Sequence, residues 1–113
     1  MAHMNAVIVL TTVGASFDIA GLAKTLVDEH LAACVNVLPP MQSIYRWQGQ
    51  IHVDDERQLV IKTSSDRLEA LQLRLTALHP YELPEFLVID VARGSQAYLD
   101  WLASVTAPLD DGR

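Results

Sequence analysis

The sequence predicts an α+β domain of the split βαβ kind, an antiparallel sheet with helices packed against it, and three features carry that prediction. Short, β-branched apolar runs stand apart along the chain: "AVIVLTT" from Ala6 to Thr12, "CVNVL" from Cys34 to Leu38 and "FLVIDVA" from Phe86 to Ala92. Other segments repeat apolar residues every three or four positions, the spacing of a helix with one buried face. Between the second and third runs, "SIYRWQGQIHV" sets two β-prone stretches on either side of a glycine-containing turn, the pattern of a hairpin.

The first run is almost wholly apolar, as a strand buried on both faces would be. Ser16 is a good N-cap for a helix that carries Ile19, Leu22, Ala23, Leu26 and Val27 on one side and stops near Leu31. The strand from Cys34 meets Pro39-Pro40, two residues without a backbone donor, and must bend or run along an edge there. Gln48-Gly49-Gln50 turns the hairpin, with glycine where positive φ is needed. The acidic triplet Asp54-Asp55-Glu56 reads as a bulge or a solvated edge; it could attract hard cations, but a solvated face is the commoner fate of such a run. A second long strand follows, in which Leu59, Ile61 and Thr63 alternate with Val60 and Lys62.

Ser64-Ser65-Asp66 caps the next helix, with Glu69 three residues after Asp66 as in a capping box and Leu68, Leu71, Leu75 and Leu78 on one face. Pro80 ends it. After the strand Phe86 to Ala92, Gly94-Ser95 opens a last helix with Tyr98, Trp101, Leu102 and Val105 on one face. Strand, helix, hairpin, helix, strand is the order of a ferredoxin-like split βαβ sandwich, here with an extended β-hairpin and an extra C-terminal helix. Residues 4–107 read as one domain, 1–3 as an expression scar before a native Met4, and 108–113 as a frayed tail. With Tyr45 and Trp47 on one face, the hairpin is longer and more apolar than a free edge tolerates, so an oligomer is expected to cover it.

The chain has 113 residues, half of them apolar, enough for a core without staples. Fourteen acidic against eight basic residues give a net charge of -6, which repels phosphate backbones and anionic lipid, so neither nucleic acid nor a membrane is an expected partner. No apolar run approaches the ~20 residues that cross a bilayer, and no signal-peptide pattern opens the chain. A single cysteine fits a reducing, cytoplasmic setting.

Chemistry is sparse. No Gly-x-Ser-x-Gly elbow, glycine-rich phosphate loop or paired-carboxylate spacing occurs, and Cys34, inside an apolar strand, reads as a small buried hydrophobe, so no enzyme is expected. Neither Cys-x-x-Cys nor His-x-x-x-His is present. His30 at a helix end and His52 in the hairpin read as solvated. The one dense stretch is "LHPYELPE", Leu78 to Glu85, where His79, Tyr81, Glu82 and Glu85 offer nitrogen and oxygen donors on a loop stiffened by Pro80 and Pro84. Stiffness lowers the entropic cost of capturing a ligand. The same stretch reads equally well as a rigid exit from a helix.

"LAACVNVLPPMQSIYRWQGQI", "VIKTSSDRLEAL", "LHPYELPE" and "GSQAYLDWL" resemble, in order and spacing, the signature stretches of the CutA family of divalent-cation tolerance proteins, over about Val7 to Trp101. The resemblance implies a cytoplasmic, non-enzymatic homotrimer whose long hairpin strands pair with neighbouring subunits. It also implies a role in divalent-cation binding or tolerance, copper being the metal associated with the family. Trimers of this type look like the PII signalling proteins, so a small-ligand sensor or an assembly scaffold acting through protein partners is the alternative; a hydrolase or transferase using Lys62 and Glu85 is a weaker one. The copper ligands proposed in the family, a cysteine late in the first strand and two histidines before Pro-Tyr, fall here on Thr11, Leu78 and His79. A threonine hydroxyl is a poor ligand for such a metal and leucine is none. The resemblance therefore implies weak Cu(II) binding, with His79, Glu82 and Glu85 as the remaining metal ligands. Cys34, Asn36, Lys62 and Tyr81 are the implied lining of a pocket at a subunit junction.

Overall fold

In the computed structural model, which describes residues 5–108, the elements are β1 (Ala6–Gly14), α1 (Ile19–Asp28), β2 (Cys34–Val37), β3 (Met41–Trp47), β4 (Gln50–Ser64), a 3-10 turn (Ser65–Arg67), α2 (Leu68–Leu78), β5 (Leu87–Asp90) and α3 (Gln96–Thr106). The scar expected at residues 1–3 and the tail beyond residue 108 lie outside the described residues. The sheet runs β2-β4-β1-β5, every neighbouring pair antiparallel, and β3 pairs with β4 beyond the end of β2. Hence β1 and β2 are parallel across β4, joined by α1, while β4 and β5 are parallel across β1, joined by α2. This is the predicted ferredoxin-like order. No helix among the described residues is long and apolar enough to cross a membrane.

The core lies on one face of the sheet. Val9 and Val13 of β1 and Leu59 and Ile61 of β4 are buried against Ile19, Leu22 and Leu26 of α1 and Leu71 and Leu75 of α2. Alternate residues of β1, including Ile8 and Leu10, are only half-buried, which corrects the expectation of a strand covered on both sides. The last strand is shorter than predicted and exposed along its whole length, because it is an edge strand paired only with β1.

Local chemistry explains the element ends. Asp18 rather than Ser16 caps α1, accepting the Gly21 N–H at 3.1 Å. A Cβ at residue 21 would stand 2.4 Å from that carboxylate, so the cap depends on glycine. The helix stops at Asp28, before the expected Leu31, and His30 then takes a left-handed φ of 62°. The capping box expected at Asp66 and Glu69 does not form; a 3-10 turn precedes α2 and Ser64 Oγ donates to Asp66 at 2.6 Å. At the other end of α2, His79 is extended (ψ 137°), as the residue before a proline must be. Ser95 caps α3 by accepting the Tyr98 N–H. That helix buries Leu102 and Thr106 but exposes Tyr98 and Trp101, so its predicted apolar face is only partly used.

The hairpin sets the geometry of the site. Trp47 pairs with Gln50, leaving a two-residue turn in which Gln48 and Gly49 have φ of 51° and 78°; Gln50 already belongs to the strand. β2 and β3 lie end to end along β4, and Pro39-Pro40 fills the break between them. β4 pairs without interruption with β3 up to Glu56 and with β1 from Glu56 on, so there is no bulge at 54–56; the register against β2 and β3 shifts by one residue at 38–40. Glu56, opposed by Met41 on one side and Gly14 on the other, sits inside the sheet and is buried.

Candidate functional site

His79 is 7% exposed. Its Nε2 lies 2.8 Å from the Thr12 carbonyl oxygen, which can only accept, so Nε2 carries the proton. Nδ1 is left with a lone pair and accepts the Tyr81 N–H at 3.1 Å. Both nitrogens are thus committed to backbone groups, and the ring ties the proline loop to β1. Tyr81 then swings its phenol over the sheet and donates to Glu56 Oε2 at 2.5 Å. Burial first, then this hydrogen bond and the Glu56 charge, push the phenol well above the ordinary tyrosine range and keep it a donor. Glu85 accepts from Gln58 Nε2 at 3.0 Å, and the same amide donates to the Thr11 carbonyl. On the hairpin, Tyr45 donates its hydroxyl to Asp54 and stacks on His52, with centroids 5.4 Å apart.

Hairpin and loop enclose a cleft of about 780 Å³. Tyr45, Trp47, Asp54 and Glu56 form one wall, and the segment from Pro80 to Glu85 forms the other. Strand alternation dictates the first wall: residues 45 and 47 share a face of β3, residues 54 and 56 share a face of β4, and the register puts the two sets side by side. The lining holds four carboxylates, Asp54, Glu56, Glu82 and Glu85, and no lysine, arginine or histidine.

The predicted site residues divide. Tyr81, Glu82 and Glu85 line the cleft, whereas His79 stands behind it, holding the loop. Leu78 packs against the core, and Thr11 is fully buried with an Oγ1 that has no hydrogen-bond partner among the described residues. Cys34 and Lys62 are paired across β2 and β4, and Asn36 lies two residues along from Cys34. None of the three lines the cleft, so within one chain the expected pocket of Cys34, Asn36, Lys62 and Tyr81 is not assembled. Cys34 is half-buried rather than packed inside, because β2 is a four-residue edge strand. Among the described residues no three His, Cys, Asp or Glu side chains converge to hold a metal ion. Sequence reasoning left Asp54 and Glu56 in a solvated acidic run; the signal available was the two-residue turn, which pairs odd positions of β3 with even positions of β4 and so sets them on the face of Tyr45 and Trp47.

The split βαβ sheet, the long hairpin and the cleft beneath it define a ferredoxin-like α+β protein with a mixed aromatic and carboxylate site. Residues 7–105 match the family described as CutA1 divalent ion tolerance protein, and the chain belongs to that family. It is 46% identical over 99 residues to the divalent-cation tolerance protein CutA of Thermus thermophilus, covering 88% of this chain and 96% of the relative. Among solved structures, the Thermus thermophilus divalent cation tolerance protein superposes with a TM-score of 0.86 at 44% identity, over 90% of this chain and 99% of that one. A PII-like CutA from a Nostoc species superposes with a TM-score of 0.84 at 38% identity, over 91% and 99% of the two chains. An Archaeoglobus fulgidus structure described as a periplasmic divalent cation tolerance protein gives 0.85 at 28% identity, over 90% and 99%.

Proposed function

We propose that this chain is a non-enzymatic, cytoplasmic divalent-cation tolerance protein that works as a homotrimer and takes up cations at the mouth of the cleft. The observation that carries this reading is the charge of the lining, four carboxylates with no basic side chain, in a chain of net charge -6. Glu82, exposed on the proline loop, and Glu85 are its oxygen ligands. Because no three donors converge among the described residues, water or a neighbouring copy completes the coordination, and binding is weak. Copper at His79 requires Nδ1 to give up the Tyr81 N–H, so Cu(II) binds weakly too. Thermal melting of the tag-free protein with Cu(II) and other divalent ions tests this: the melting temperature should rise with metal and return with chelator. A Glu82→Gln, Glu85→Gln double variant should lose the response. No rise with any ion, or a rise that the double variant keeps, overturns the reading.

A second reading, a PII-like small-ligand sensor, is favoured by the aromatic walls and the volume of the cleft. About 780 Å³ is far more space than an ion fills and lies within the range of small-molecule sites. It is tested by whether an organic molecule occupies the cleft without metal.

A further inference from the structure

Glu56 sits at the floor of the cleft in an unusual electrostatic position. It is 6% exposed, yet among the described residues no lysine, arginine or histidine lies within ion-pair distance of it; the ion pair there is Arg74–Glu29, between α2 and α1. Its Oε2 receives the Tyr81 hydroxyl, while its Oε1, with no protein hydrogen-bond partner among the described residues, is not sealed in the interior but open to the cleft. A carboxylate so enclosed keeps little hydration, and one phenol does not make a full set of hydrogen bonds, so Oε1 is a ready acceptor for a donor that enters the cleft. The group lines a cleft, so its missing partner can come from outside.

The walls indicate the kind of cation. A metal ion needs ligands that converge on one point, and these carboxylates do not. An organic ammonium ion has no such requirement: its N–H groups donate to one carboxylate while its carbon chain lies along aromatic faces, whose quadrupole attracts positive charge. Tyr45, Trp47 and Tyr81 supply three aromatic rings to the lining, and Asp54, Glu82 and Glu85 keep the remainder anionic. Anions are repelled from the same surface.

We propose that the cleft binds an organic ammonium ion of the alkylamine class, its nitrogen held at Glu56 Oε1 and its carbon chain against Trp47 and Tyr81. The proposal rests on the second reading, that the cleft is a small-molecule site, and gives that site its ligand class. Nitrogen-15 NMR titration of the whole protein with 1,4-diaminobutane is the test. Butane-1,4-diol, matched in length without the charge, and adenosine triphosphate, an anion, serve as comparisons, all in the absence of metal. The diamine should shift the Trp47 indole and the 81–85 amides saturably, the diol should not, and Glu56→Gln should weaken the diamine about tenfold or more. Glutamine still accepts from Tyr81, so the variant keeps its fold, which the rest of the spectrum reports; Trp47→Ala, in the exposed hairpin, should weaken binding as well. Equal shifts by diol and diamine, or a diamine affinity untouched by Glu56→Gln, overturn the ammonium assignment. Shifts by the nucleotide alone overturn it while leaving the cleft a small-molecule site. Silence from all three molecules sinks both.

Discussion

His79 is the one position of the family's proposed copper ligands that this sequence keeps, and in the structure its ring holds two backbone groups, the Thr12 carbonyl and the Tyr81 N–H. Removing the ring strands both partners in a buried place. His79→Ala should therefore lower the unfolding free energy by about 1–3 kcal/mol, read from urea denaturation at fixed protein concentration. A change within about 0.5 kcal/mol, usual at an exposed position, would show that the ring holds nothing. Tyr81 gives a pH dependence of definite sign. Its folded pKa lies above the ordinary value of 10.0, so the folded chain holds the proton more tightly than the unfolded chain does. That contribution to stability is complete below the ordinary value and is lost as the pH rises from about 10 toward the folded pKa. Tyr81→Phe should flatten the alkaline fall in stability and remove the last tyrosinate step in an absorbance titration of the protein's three tyrosines. A last step that persists in the variant would place the high phenol elsewhere.

At the scale of elements, the hairpin depends on a turn with two consecutive left-handed residues, Gln48 and Gly49. No neighbour stands within 4 Å of a Cβ built at Gly49, so only the backbone conformation opposes substitution. Gly49→Ala should cost about 1 kcal/mol, measured by the same denaturation. No loss would mean that the turn relaxes to another type. This turn was legible in the sequence because glycine between β-prone runs has a local cause. So were α1 and α2, through the periodicity of Ile19, Leu22 and Leu26 and of Leu71 and Leu75, which the core confirms. Glu56 was not legible. Within Asp54-Asp55-Glu56 nothing local tells which carboxylate is buried; that follows from Gly14 and Met41 flanking it and from Tyr81 arriving from 25 residues away. The Asp18 cap was hidden for a similar reason, since Ser16 and Asp18 are both good caps and Gly21 decides between them through its missing Cβ.

The whole molecule leaves much apolar surface uncovered. Ile44 is 70% exposed, Ile51 67% and Leu83 69%, and β5 is open along its length. Surface of this kind marks an association site. A homotrimer should appear in light scattering at low micromolar concentration as three times the 12.5 kDa chain mass. A stable monomer there would contradict the assembly expected from the hairpin. The pattern of strands and helices placed the ferredoxin-like order and the resemblance placed the family, while the division of the candidate residues between the cleft and the far end of β4 became visible only with the register of β2 on β4. Paramagnetic broadening of amide signals by Mn(II) tests most directly the proposed entry of divalent cations at the cleft mouth. Substoichiometric Mn(II) should broaden the amides of Glu82 and Glu85, and those of Asp54 to Glu56, before any others. Broadening that begins at Cys34 and Lys62 or at His30, or that is uniform over the surface, would contradict it.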